Sequence, residues 1–175
     1  MSSYYSDLSA ANTYFANRLH STAWTNAAVA DKPMALTQAC QIIDNLNYRG
    51  VKNSIYLIMY DSDGELLDTP TQAAIDAANA SQELEFPRGR DTVVPEPIKM
   101  AQWDIAYALL DGFDPDAALD AMRVLSQSYS SVRTTYADGD ASNEYLLYGI
   151  PTGTAWRWLK PYLCDGRIIR LRRAD

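Results

Sequence analysis

The stretch QELEFPR at residues 82–88, followed by VPEPIK at residues 94–99, decides how this 175-residue chain is organised. Proline disfavours helix in the residue before it and fits the first helical turn, so these runs mark places where helices end and begin. We interpret Phe86, Pro87 and Arg88 as a structural junction between helices. None of their side chains indicates catalytic chemistry.

The helix that follows Pro97 has the most regular pattern in the chain. Large apolar residues recur with a period of 3.6 from Ile98 to Phe113, which predicts a helix at the centre of the core. Asp114-Pro115 then predicts the start of a further helix, which continues to Leu125.

Two more helices are predicted before the junction. The first covers residues 7–19, with Ser6 or Asp7 as its N-cap. The second begins near Asp31 and ends with a left-handed glycine cap at Gly50.

Other segments differ from these helices in composition and in the spacing of their apolar residues. The β-prone run around residues 55–60, followed by the turn signal DSDG, predicts a β-hairpin over residues 55–67. An alanine-rich helix is expected over residues 70–80, extended chain over residues 126–148 and a last helix over residues 151–164. The predicted fold is therefore mainly α: a small helical bundle with a β-hairpin insertion and extended, strand-like C-terminal segments.

Charge divides the chain into an acidic body and a basic tail. The net charge is −7, but residues 165–175 carry four arginines against two aspartates, so residues 1–164 carry −9. An acidic body repels nucleic acid at long range. No apolar run is long enough to span a membrane, and no signal peptide is recognised at the N-terminus.

No pattern in the sequence indicates an active site. The single histidine, His20, ends a predicted helix, where a capping or surface role is the common one. The run DSDGE at residues 61–65 lacks the glycine position and the final glutamate of a calcium loop. We therefore expect no catalytic residue, no metal site and no cofactor. The twelve tyrosines and four tryptophans favour a protein-interface role, because aromatic residues with polar tips are enriched there.

Several short runs together resemble a family, the head–tail adaptor proteins of tailed phages, whose members are also called DnaT-like. NTYFANR at residues 12–18 and YRG at residues 48–50 resemble its opening. QELEFPR at residues 82–88 is similar to its Gln-x-Leu-x-Trp-Pro-Arg run, VPEPIKMA at residues 94–101 to the helix start that follows, and residues 132–139 to a later extended segment.

The resemblance implies a structural virion protein without enzymatic activity. Members of the family form a ring, taken here as a dodecamer, beneath the portal protein. The ring extends the channel through which double-stranded DNA passes without sequence recognition, and it attaches tail or nozzle proteins. The expected location is the head–tail interface of the virion, after synthesis in the host cytoplasm and without any membrane contact. A single-stranded-DNA-binding module is the alternative.

Two departures from the family pattern matter. Phe86 stands where the family usually has tryptophan, and residues 51–81 form a long insertion to which no family function is carried over. We therefore divide the chain into a helical adaptor domain, residues 1–164, and a basic docking tail, residues 165–175.

Two contact surfaces are predicted on these segments. On the insertion, the residues expected to contact a neighbouring subunit or a tail protein are Ile55, Tyr56, Leu57, Ile58 and Tyr60. On the tail, the residues expected to dock on the portal are Arg167, Ile168, Ile169, Arg170, Leu171, Arg172 and Arg173.

Overall fold

A computed structural model describes residues 4–67, 69–114, 117–118, 126–129, 132–135 and 144–164. Within that part of the chain the fold is mainly helical, as predicted. The helices are α1 (Leu8–Ala16), α2 (Thr22–Asn26), α3 (Asp31–Asp44), α4 (Asn53–Met59), α5 (Gln72–Ser81), α6 (Glu96–Leu110), α7 (Glu144–Leu147) and α8 (Gly153–Leu159), the last followed by a 3-10 turn, Lys160–Tyr162.

Helix α6 is the centre of the core, as its pattern predicted. It packs against α3 and α8, and more lightly against α2. Six consecutive α6 residues, 101–106, are buried, which requires neighbours on every side of the helix. The largest fully buried apolar side chains are Phe15, Leu36, Ile43, Ile98, Ile105, Ile150 and Leu159.

A glutamine lies inside this apolar core. Gln102 has no exposed surface, and its side chain has three partners. Its Oε1 accepts from the backbone N–H of Ser6 at 3.1 Å, and its Nε2 donates to the Leu36 carbonyl and the Cys40 Sγ, both at 3.1 Å. The bonds tie α6 to α3 and to the segment that leads into α1, and they offset the cost of burying an amide.

Capping residues account for several helix boundaries. The Asp7 side chain caps α1 by accepting from the Ala10 N–H at 2.7 Å, and Thr71 and Thr152 cap α5 and α8 in the same way. Helix α3 ends at Asp44, so Gly50 does not cap it as predicted. Gly50 has a positive φ of 72° but lies in the loop beyond.

The predicted β-hairpin over residues 55–67 is wrong. Residues 53–59 form helix α4, and only a single bridge joins Tyr60 to Leu66 around the turn at Asp61–Gly64. A short apolar run cannot be assigned to helix or strand by periodicity alone. The alanine-rich face of α5 packs against this segment and favours the helix, because small side chains let two helices approach closely.

The predicted extended segment over residues 126–148 is described only in parts. Ser126–Tyr129 (β1) and Val132–Thr135 (β2) pair antiparallel, with Ser126 opposite Thr135 and Tyr129 opposite Val132. Residues 144–147 are helical instead. Most of the helix predicted over residues 114–125 lies outside the described residues.

Replacement of Ile105 by aspartate tests the placement of the core. Ile105 is fully buried on α6, and its burial contributes about 1.5–3 kcal/mol, to which the cost of an unpaired buried charge is added. We expect Ile105→Asp to remove most of a stability that is typically about 5–15 kcal/mol, seen as loss of the cooperative transition in urea unfolding.

Met34→Asp is the matched control. Met34 is 60% exposed in the first turn of α3, where an acidic residue is favourable, so its midpoint should stay near that of the wild type. A wild-type midpoint for Ile105→Asp would contradict the placement of α6 in the core.

Candidate functional site

Phe86 anchors the junction in the core. Its ring is 3% exposed and makes edge-on contacts with three tyrosine rings, at centroid distances of 5.9 Å to Tyr5, 4.7 Å to Tyr48 and 5.6 Å to Tyr162. These residues come from the start, the middle and the far end of the described chain. The junction therefore joins segments that are distant in sequence.

The guanidinium of Arg88 binds the neighbouring loop through its backbone. Its Nε donates to the Arg49 carbonyl at 3.1 Å and its Nη2 to the Gly50 carbonyl at 2.5 Å, while Nη1 pairs with the Glu85 carboxylate. Pro87 contributes its carbonyl, which accepts from the Asn53 N–H at 3.0 Å at the start of α4. The planar fork of arginine suits several fixed acceptors at once.

Lys52 and Gln82 hold the two ends of the inserted segment together. The Lys52 ammonium donates to the carbonyls of Gln82 and Glu83 and pairs with Glu85, each at 3.3 Å. The Gln82 side chain accepts from the Ser54 N–H at 3.0 Å and donates to the Pro87 carbonyl at 2.8 Å. We call the segment between them, residues 53–81 with helices α4 and α5, the arm.

A half-buried carboxylate is hydrogen-bonded to the junction. Asp44, at the end of α3, accepts from the Glu85 N–H at 3.3 Å and from the Tyr5 hydroxyl. Burial raises the pKa of Asp44, and the hydrogen bonds from Tyr5 and Glu85 oppose that rise. Burial also raises the pKa of Tyr5 and of Tyr48 above the ordinary value. The Tyr5 hydroxyl donates to Asp44, and the Tyr48 hydroxyl donates to the Ile43 carbonyl at 2.9 Å.

The arm itself buries little apolar surface. Of its described residues only Ala78 is buried, whereas Leu57 is 64% exposed. An open groove of about 730 Å³ runs between α4 and α5. Its apolar lining residues are Leu57, Ile58, Ala74, Ala77, Ala78 and Pro87.

The five residues predicted as contacts on the insertion are placed on two sides of the arm. Leu57 and Ile58 line the groove. Tyr56 and Tyr60 stack on each other at 4.6 Å, and the Tyr56 hydroxyl accepts from Arg90 Nε at 2.7 Å. Ile55 lies on the same helix and is half-buried. Because the segment is a helix, the five do not form one strand face.

The tail residues predicted to dock on the portal, 167–173, lie outside the described residues. Tyr162 and Cys164, which come just before the tail, are hydrogen-bonded to the loop at the junction. The Cys164 N–H donates to the Asn47 carbonyl at 2.9 Å, and the Arg49 N–H donates to the Tyr162 carbonyl at 2.9 Å. Residue 164 therefore lies beside the loop that Arg88 holds.

Sequence reasoning missed a second constellation, on α1 and α6. Arg18 forms an ion pair with Asp104, whose side chain is 3% exposed. The same guanidinium lies over the ring of Tyr107 at 5.3 Å, with Tyr14 and Phe15 beside it. Burial raises the pKa of Asp104, and the charge of Arg18 opposes that rise. In the sequence, the only sign of this ion pair is Asp104 itself, an aspartate between the apolar residues Trp103 and Ile105 of a helix predicted to lie in the core.

The structure places Cys40, His20 and Asp61 in different surroundings. The Cys40 thiol is buried, and burial raises its pKa to about 12, which leaves it uncharged and unreactive at neutral pH. His20 is exposed, and its carbonyl accepts from the Tyr107 hydroxyl at 2.7 Å. Asp61 accepts from the N–H groups of Asp63 and Glu65, as in an ordinary turn.

Within the described ranges, no group of three or more potential metal-ligating side chains comes together, and no helix is long and apolar enough to cross a membrane. Comparison with known proteins finds no matching family model, no matching curated protein and no matching solved structure.

Replacement of Arg88 by lysine tests how the junction is held. Lysine keeps the charge but cannot reach the carbonyls of Arg49 and Gly50 and the Glu85 carboxylate in one plane. Because hydrogen bonds to charged groups contribute about 1.5–3 kcal/mol each, we expect Arg88→Lys to lower the free energy of unfolding by about 2–3 kcal/mol in urea titrations.

Lys99→Ala serves as the control, because Lys99 pairs with Glu96 on the exposed start of α6 at 3.2 Å and such surface pairs contribute about 0–1 kcal/mol. Equal stabilities of the Arg88→Lys and Lys99→Ala variants would show that the arginine fork does not hold the junction.

Proposed function

We propose that this protein is a structural head–tail adaptor of a tailed phage, which forms a ring beneath the portal and attaches tail or nozzle proteins. The observation that carries the proposal is the arm: a helical pair fixed by the junction, with large apolar side chains left uncovered by the rest of the described chain. Contiguous exposed apolar surface in a protein with a well-formed core is typical of an interaction site.

The charge distribution supports the same role. A wall that faces passing DNA works best when it does not bind phosphate, and residues 1–164 carry a net charge of −9. In this proposal the double-stranded DNA passes through the ring without sequence recognition. The basic tail, residues 165–175, is assigned to contact with the portal, and the arm to contact with a neighbouring copy or a tail protein.

Assembly on a portal ring tests the proposal. The purified chain should be monomeric at micromolar concentration and should form one discrete ring when mixed with the portal protein of the same phage. Mass photometry gives the stoichiometry, and cryo-electron microscopy gives the position of the ring. A folded chain that never joins the portal would contradict the proposal. Tight oligonucleotide binding at about 0.15 M salt would favour the single-stranded-DNA-binding alternative, whose affinity should fall steeply with added salt.

A charged substitution in the arm tests whether this surface is used. Leu57→Glu places a carboxylate on an exposed apolar position of α4, so the fold should stay intact while a buried contact in the assembly is lost. A lost leucine contact corresponds to about 1.5–3 kcal/mol, or about a tenfold to hundredfold fall in affinity. The measurement is the concentration of chain at which rings, or rings with attached tails, reach half occupancy.

Val29→Glu is the matched control. Val29 is 79% exposed, in the turn between α2 and α3 and outside the arm, so the same change there should leave assembly unchanged. If the two variants assemble equally well, the arm is not an assembly surface.

A further inference from the structure

The groove between α4 and α5, here called the arm groove, has apolar lining residues and is open to solvent. Its apolar lining comes from Leu57 and Ile58 of α4, the alanines of α5 and Pro87, and polar side chains at the bases of the two helices complete it. A ligand suited to it has to supply aliphatic side chains along one edge. Such a groove between two helices accepts an extended or helical peptide segment.

The composition of the arm adds a charge requirement. Residues 53–83 contain six carboxylates and neither a lysine nor an arginine. The nearest cations outside this range are already engaged: Lys52 and Arg88 pair with Glu85, and Arg90 donates to the Tyr56 hydroxyl and to the Asp63 carbonyl at 2.9 Å. A segment that combines aliphatic side chains with positive charge would therefore complement this surface.

One segment of this chain has that composition. Residues 167–173 alternate four arginines with three large aliphatic residues. The residue before the tail, Cys164, is hydrogen-bonded to Asn47, next to the loop whose carbonyls bind Arg88, and Arg88 follows the Pro87 that lines the groove. At about 3.3 Å per residue, ten residues reach about 33 Å, and the tail starts only a short series of contacts from the groove, since Cys164 bonds to the loop that Arg88 holds and Pro87 lines the groove.

We propose that, in the free protein, the basic tail binds in the arm groove of its own chain. In this contact Ile168, Ile169 and Leu171 cover the apolar lining, and the arginines face the carboxylates of the arm. This contact covers the apolar surface of the arm before a partner does. It does not depend on the adaptor proposal, because it involves one copy of the chain and no portal.

Disulfide trapping in the full-length chain tests the contact. The variant carries Ala77→Cys in the groove and Ala174→Cys beyond the arginines, with the exposed native cysteine removed by Cys164→Ser; Cys40 is buried and stays. Under mild oxidation with oxidised glutathione at micromolar protein, we expect one intramolecular disulfide, seen as a faster-migrating monomer and a mass lower by two hydrogens. Circular dichroism checks that each variant is folded.

The control pairs Ala174→Cys with Met34→Cys in the same background. Met34 is exposed near the start of α3, about 15 Å along that helix from Asp44 at the junction, so it is within reach of the tail but outside the groove. We expect the groove pair to form its disulfide at least about fivefold faster. Adding Arg170→Glu and Arg172→Glu, or raising the salt to about 1 M, should remove that advantage, because both weaken attraction between exposed charges.

Equal rates for the groove and control pairs would overturn the proposal, as would rates that do not respond to charge reversal. Disulfide-linked dimers in place of the intramolecular product would also overturn it, because the occupant of the groove would then be the tail of a second copy. Assembly on a portal is a separate measurement, so failure of this contact and failure of the adaptor proposal are distinguishable.

Discussion

The burial of α6 on nearly every side is the constraint on which the rest of the fold depends. A helix with six consecutive buried residues encloses polar side chains, and Gln102 and Asp104 are both within that run. Gln102 is bonded to α3 and to the backbone before α1, and Asp104 is paired with Arg18 at the end of α1. The polar groups of α6 thereby determine which neighbours surround it, while its apolar groups provide most of the stabilising burial.

The arm is attached in a different way. Its helices add one buried residue, Ala78, so the hydrophobic effect contributes little to its position. Hydrogen bonds and ion pairs from Arg88, Lys52 and Gln82 hold both of its ends at one place instead. Such contacts are directional, and they position a segment without covering it. The surface of the arm is consequently left open although its base is fixed.

The limits of prediction from the sequence follow from the same distinction. The period-3.6 stripes of α3 and α6 were sufficient to predict these helices and the central place of α6, because burial of an apolar stripe is a local pattern. Residues 55–60 were misassigned because a continuous apolar run does not indicate whether its residues form a helix or a strand. The distant acceptors of Arg88 are the backbone carbonyls of Arg49 and Gly50, and the partners Arg18 and Asp104 are 86 residues apart. Neither leaves a pattern that can be read along the chain.

A surface whose base is fixed before a partner arrives favours a role in binding that partner. Association costs conformational entropy for every segment that becomes ordered in the complex. The arm has already lost much of that freedom, because its ends share the junction with Phe86, whose ring is fixed among three tyrosines. A partner that covers Leu57 and Ile58 therefore gains apolar burial without ordering the arm. The buried Cys40 and Asp104 and the half-buried Asp44 are each engaged in contacts that join segments distant in sequence.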